Sequence, residues 1–214
     1  MELERKPYLV VLDVDSTLIE NEVIELLAAK AGSLLEVAAI TDRAMRGEMD
    51  FAESLRQRVL TLKGLQVSVF EEVQKEITVT FGVQELIARV KGAEGYIGVV
   101  SGGFHEILDP LAEALQLDFW KANRLEIIKG ELTGHLQGEI VDAEAKAQTL
   151  MAWAKETNTP MTQTVAIGDG ANDLRMMAVA GISIAFDAKP IVRERADHAI
   201  DGRDMHPVLD ILSL

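Results

Sequence analysis

Three short stretches carry oxygen-bearing side chains where an apolar run gives way to a turn. They are Asp13-Val14-Asp15-Ser16-Thr17, Ser101-Gly102-Gly103 and Gly168-Asp169-Gly170-Ala171-Asn172-Asp173. In open α/β sheets, ligands bind at the carboxyl ends of the strands. If the preceding runs are strands, four carboxylates and a hydroxyl converge on one sheet edge. Like charges that close repel one another and are costly to desolvate, and a divalent cation is the simplest compensation. Oxygen donors without His or Cys suit magnesium. The chemistry is then phosphoryl transfer through a covalent aspartyl phosphate. Asp13 is the nucleophile. Asp15 protonates the leaving oxygen and then activates water as a base. Ser101 and the backbone amides near Gly102 hold phosphate oxygens, helped by the start of the next helix.

Three plainer readings compete with this one. Asp13, Asp15 and Thr17 have the alternate spacing of a calcium loop. Leu18 stands where that loop needs glycine, however, and a strand precedes it instead of a helix. Gly168-Asp169-Gly170 begins like a dinucleotide fingerprint, but its third glycine position is Asp173 and the acids would repel a pyrophosphate. Turn chemistry alone explains one Asp- and Gly-rich loop, but poorly explains all three together.

The elements that would position these loops follow from apolar patterning. Tyr8 to Leu12, Tyr96 to Val100 and Thr164 to Ile167 are short continuous apolar runs, as expected for strands buried on both faces; Gly181 to Phe186 is a fourth. Helical patterns at His105 to Leu115 and Lys146 to Glu156 lie between them, so the fold class is α/β with a parallel sheet. The stretch from the first strand to Tyr96 is far too long for one crossover helix. It reads as helical throughout. Val23, Leu26, Leu27 and Lys30 mark one helix and Leu35 to Arg46 a second. Asp50 and Glu53 form a capping box for a third, and Ser68 begins a fourth with Val69, Val73 and Ile77 on one side. Residues 18–82 are thus a helical cap inserted after the first strand, and 1–17 with 83–214 form the α/β core. Leu125 to Leu136 alternates around Lys129-Gly130 and predicts a β-hairpin.

Composition narrows the setting. The 214 residues carry 35 acids and 21 Lys and Arg, a net charge of −14. That balance disfavours nucleic acid and anionic membranes as partners. An anionic substrate needs local positive charge or a metal here. No apolar run approaches the roughly 18 residues of a membrane span. There is no cysteine, hence no disulfide, thiolate metal site or cysteine nucleophile. The start, Met-Glu-Leu-Glu-Arg-Lys-Pro, lacks the order of a signal peptide, so a cytoplasmic location is expected.

Three further residues invite a role and also have ordinary explanations. Lys146 opens a helix after Asp142 and Glu144; by residue type alone it is a solvated surface lysine. Phe51, Leu55, Arg58 and Leu62 fall on one helical stripe. Arg58 either snorkels past apolar neighbours or holds a carboxylate bidentately, while Arg56 points elsewhere. Glu22 either complements a helix dipole or accepts an ammonium group. A carboxylate holder and an ammonium acceptor on one cap would recognise an amino acid.

The sequence resembles the haloacid dehalogenase superfamily and, within it, the phosphoserine phosphatase family. The likeness runs nearly end to end: Asp13 to Leu18, Glu22, Phe51 to Val59, Val100 to Phe104, Ala122-Asn123-Arg124-Leu125, Leu132-Thr133-Gly134, Lys146, Gly168 to Asp173 and Ala188-Lys189-Pro190. It implies a Rossmann-like core with a helical-bundle cap, and magnesium-dependent hydrolysis of O-phospho-L-serine to L-serine and phosphate. It implies that Asp13, the backbone of Asp15, and Asp169 hold the metal, with Asp173 supporting them. Ser101, Gly102, Lys146 and Asn172 would hold phosphate, Glu22 and Arg58 the amino acid, and Met45 and Phe51 would close over it. The expected partner is this small molecule, with the chain a monomer or homodimer.

Three departures stand out. Phe81 occupies a position where relatives often carry proline, and Val14 one where they often carry an aromatic or methionine. No room is left for the N-terminal regulatory domain that some relatives have. Other small phosphomonoesters, transfer to a hydroxyl such as that of homoserine, and a receiver-like phosphoacceptor remain as alternatives.

Overall fold

The computed structural model describes residues 7–214. The signal-peptide reading rests on a stretch that, apart from Pro7, lies outside them. Seven strands form one sheet in the order β4-β3-β2-β1-β5-β6-β7. They are β1 (Leu9–Leu12), β2 (Tyr96–Phe104), β3 (Phe119–Ile128), β4 (Glu131–Gln137), β5 (Thr164–Gly168), β6 (Ile182–Phe186) and β7 (His198–Ile200). All neighbours are parallel except β3 and β4. From β1 the chain first builds outward through β2, β3 and β4, then returns to β5 on the other side. That reversal makes the carboxyl ends of β1 and β5 the topological switch point, where such sheets bind ligands.

The continuous apolar runs are strands because both faces are covered. Val10 and Leu12 join a core completed by α5 (Val83–Gly92), α6 (His105–Ala114) and α10 (His206–Leu212). Leu9 and Val11 point the other way, against α7 (Ala143–Glu156), α8 (Leu174–Val179) and α9 (Pro190–Arg193). Each buried Leu or Val contributes about 1.5–3 kcal/mol over an exposed one.

Four helices lie between β1 and β2 ahead of α5: α1 (Val23–Ala31), α2 (Leu34–Met45), α3 (Phe51–Leu60) and α4 (Val69–Gln74). Asp50 caps α3 by accepting the Glu53 N–H at 2.8 Å. The two ends of this stretch are stitched together. The Glu20 N–H donates to Thr78 O, and the Thr80 N–H to Leu18 O, both at 2.9 Å. A second tie runs to the hairpin, where the Gly64 N–H donates to Leu132 O at 2.8 Å.

Several expectations needed adjusting. α4 stops at Gln74, leaving Ile77 outside the helix, and Leu62 is buried beyond the end of α3. α7 starts before Lys146, because Asp142 caps it by accepting the Ala145 N–H at 2.9 Å. The hairpin turns at Lys129 and Gly130, both with positive φ (54° and 84°), as a two-residue type I′ loop requires. Its first strand is longer than its alternation suggested, because β3 also pairs with β2. β7 has three residues, two of them exposed, and so left no apolar signature.

Candidate active site

Asp13 directly follows β1 and hangs from β5 through its own N–H, which donates to Ile167 O at 2.9 Å. Its Oδ1 accepts the Val14 N–H at 2.8 Å and the Lys146 ammonium at 2.6 Å. Lys146 is 1% exposed and reaches Asp173 Oδ1 at 2.7 Å with the same ammonium. Burial by itself would lower the pKa of this lysine. The two carboxylates outweigh it and hold its pKa above the ordinary lysine range. Asp173 is also buried, and its Oδ2 accepts the Gly170 N–H at 3.1 Å. A Cβ on Gly168 would lie 2.3 Å from that carboxylate, so only glycine allows Asp173 to fold in behind β5.

Oxygens of Asp13, Asp169 and Asp173 lie within 4.8 Å of one another and could hold a metal ion. Burial, then repulsion from Asp13, pushes Asp169 up to about 7 and Asp173 to about 6. One ammonium therefore does not neutralise the cluster. An all-oxygen donor set with charge left uncompensated fits a hard divalent cation. The Asp15 carboxylate stands apart from this trio, in the tight turn after β1 where Ser16 adopts φ 57°. Its Oδ1 is shielded from solvent and has no hydrogen-bond partner among the described residues. Burial, then the charges of Glu22 and Asp13, raises its pKa well above the ordinary carboxylate range. A raised pKa suits a carboxyl whose task is to donate a proton.

A cavity of about 480 Å³ opens above these acids. It collects Asp13, Asp15, Ser101, Gly102, Asp169 and Asn172 from the sheet edge, and Glu22, Met45, Phe51 and Arg58 from the helical stretch. Lys146 and Asp173 lie behind its floor. Glu22 sits at the N-terminus of α1 and accepts the Ser16 hydroxyl at 2.7 Å. Desolvation inside the cavity raises its pKa, against that hydrogen bond. Arg58 is half-buried, and its Nε–H donates to Ser54 O at 3.3 Å. Burial lowers its pKa, opposed by Glu22 and Asp15. Arg56 is exposed, as its place on the helix predicted. Met45 is 66% exposed at the cavity mouth. The Phe51 ring packs so closely that a Cβ on Gly102 would lie 2.9 Å from its Cζ.

Sequence reasoning gave no role to four residues found here. Thr17 Oγ1 lies 3.5 Å from Asp169 Oδ1, and Lys189 lines the cavity while its N–H donates to Asp169 O at 3.2 Å. Ser54 lines the cavity with a buried hydroxyl that has no partner among the described residues. Asn123 is 2% exposed inside β3. Beyond its place in the Ala122-Asn123-Arg124-Leu125 likeness, its signal is its type, since asparagine is depleted in strand interiors.

Residues 10–178 match the haloacid dehalogenase-like hydrolase family. The phosphoserine phosphatase of Streptococcus thermophilus is 51% identical over 204 residues, covering 95% of this chain and 95% of that protein. That of Streptomyces coelicolor is 51% identical over 210 residues; they are 98% of this chain but 51% of that longer protein. A solved structure described as a phospho-aspartyl intermediate analogue of phosphoserine phosphatase has a TM-score of 0.90 and 43% identity. It covers 96% of this chain and 99% of its own.

Proposed function

The chain belongs to the haloacid dehalogenase-like hydrolase family, and from that premise we propose that it hydrolyses O-phospho-L-serine to L-serine and phosphate with magnesium, as the last step of serine synthesis. The observation that carries this reading is a single cavity with acids on its floor and both Glu22 and Arg58 in its wall.

In this reading Asp13 attacks the phosphorus and the seryl oxygen leaves, taking the proton of Asp15. Asp15, now a carboxylate, draws a proton from the water that attacks the aspartyl phosphate, which frees phosphate and restores Asp13. Lys146 aims Asp13 and joins in holding the phosphoryl oxygens. Asp13, the Asp15 backbone carbonyl and Asp169 hold the metal, with Asp173 supporting them from behind. When bound, the metal supplies neutralising charge to the phosphoryl oxygens. Ser101, the Gly102 amide and Asn172 hold those oxygens as well. Glu22 takes the substrate ammonium and Arg58 its carboxylate, while Met45 and Phe51 cover it. Residues 18–82 act as a cap that opens for exchange and closes to exclude water, over a core of 1–17 and 83–214. A cytoplasmic location goes with this reading.

The test is phosphate release from L-phosphoserine beside phosphothreonine, a sugar phosphate and p-nitrophenyl phosphate, with magnesium and again with EDTA. Magnesium-dependent preference for phosphoserine is expected. Activity on p-nitrophenyl phosphate without activity on phosphoserine would keep the floor chemistry and overturn the roles of Glu22 and Arg58.

A further inference from the structure

The segment Ser101-Gly102-Gly103 lies inside β2, yet it departs from regular strand pairing. Val100 is opposite Lys121 and Phe104 opposite Asn123, so four steps along β2 face two along β3. The surplus residues bulge from the ladder toward the cavity. A bulge leaves backbone groups without their ladder partners, and buried groups of that kind need replacements. Asn123 supplies one. Its Nδ2 donates to Gly102 O at 2.8 Å, and its Oδ1 accepts the Val141 N–H at 2.8 Å. One contact needs a donor and the other an acceptor, so the partners themselves fix the orientation of the amide.

The far side of the same peptide unit is also held. The Gly103 N–H donates to Ser101 Oγ at 2.8 Å. The Gly102–Gly103 peptide is therefore clamped at its carbonyl by Asn123 and at its N–H by Ser101. A hydroxyl has one proton and two lone pairs. By accepting from Gly103, Ser101 commits a lone pair to the protein. Among the described residues its own proton has no acceptor, and the side chain lines the cavity.

We propose that Asn123 is a positioning residue that, by fixing the Gly102–Gly103 peptide, makes Ser101 a hydrogen-bond donor to the substrate phosphoryl group. Through the Val141 N–H it also ties this loop to the segment entering α7, which carries Lys146. The inference rests on the assignment of Ser101 as a phosphate holder.

A double-mutant cycle tests it, with Asn123→Ala, Ser101→Ala and the pair assayed as holoenzymes. The readouts are kcat/KM for phosphoserine and p-nitrophenyl phosphate, and inhibition by inorganic phosphate. Ser101→Ala is expected to cost roughly 100-fold, as loss of one oriented donor does. Asn123→Ala should approach that figure, equally on both substrates, because misplacing a reacting group costs on the order of 100-fold. In the Ser101→Ala background, removing Asn123 should cost less than about 2-fold more, since residues acting as a unit are not additive. Full additivity would make Asn123 merely structural and overturn the inference. An unimpaired Ser101→Ala enzyme would overturn the phosphate-holding role and the inference with it. Asn123→Ser, whose shorter side chain cannot span both partners, carries the same cycle if the alanine variant does not fold.

Discussion

Just behind the cavity floor, Lys146 is 1% exposed and bonded to two carboxylates at 2.6 and 2.7 Å. In the wall, Arg58 is half-buried, and its guanidinium's one hydrogen bond among the described residues runs to a backbone carbonyl at 3.3 Å. Both are cations held near acids, but only the first has its partners built into the fold. The floor is assembled from strand ends in the most buried part of the sheet, so its charges are oriented before any ligand arrives. The wall comes from helices joined to the sheet by a short stem and by the hairpin, and among the described residues its Glu22 and Arg58 have no ion-pair partner. The difference teaches a division of labour. Groups common to any phosphomonoester reaction belong on a rigid frame. On the proposed function, groups that read the rest of the substrate belong where they can close over it.

The largest break in that comparison should come from the floor. Asp13→Asn keeps the shape and removes the nucleophile, so turnover should fall by roughly 10⁵-fold or more on phosphoserine and p-nitrophenyl phosphate alike. An unchanged circular dichroism spectrum would show that the protein stays folded, and normal turnover would end the covalent mechanism. Lys146→Met strands two buried carboxylates, a loss worth about 3–5 kcal/mol of stability by urea titration, along with most activity. Arg58→Met, by contrast, should move the urea midpoint little.

Smaller effects sharpen the boundary between the regions. Gly102→Ala places a Cβ 2.9 Å from Phe51 Cζ and should hold the cap off the floor, lowering kcat/KM by about tenfold. Phe51→Leu should recover part of that loss, and steady-state kinetics on both variants checks it. The smallest effect concerns the metal. Asp169 and Asp173 bind protons more tightly in the folded metal-free protein than in the unfolded chain. Their contribution to stability is complete below the unfolded carboxylate range. It is lost as pH rises through about 6 for Asp173 and about 7 for Asp169. The melting temperature in EDTA should therefore fall between about pH 5 and about pH 8, and magnesium should restore a few degrees more at the higher pH. Calorimetry that found equal restoration at both would remove the cation from this cluster.

The floor was legible because strands buried on both faces are continuous apolar runs, and the acids follow them directly. Hence Asp13, Ser101 and Asp169 could be brought to one edge from spacing alone. Lys146 was not legible in that way. Its burial comes from α7 packing across the edge, and residue type by itself argued for the surface. Resemblance to a family supplied what pattern could not. Arg58 was readable as an arginine on an apolar stripe, although the helix ends at Leu60 and Leu62 is buried beyond it. Asn123 was quoted as part of a motif without a role. Its partners are backbone groups freed by a bulge, and a bulge depends on strand register that no single stretch of sequence encodes.

The most direct test of the division between floor and wall is Arg58→Ala, assayed on L-phosphoserine and on p-nitrophenyl phosphate in the same preparation. A charged partner lost from the substrate carboxylate should lower kcat/KM for phosphoserine by about 100-fold. The small aryl phosphate, which has no carboxylate, should change by less than about threefold. Equal losses on both substrates would place Arg58 in the common chemistry and contradict the account.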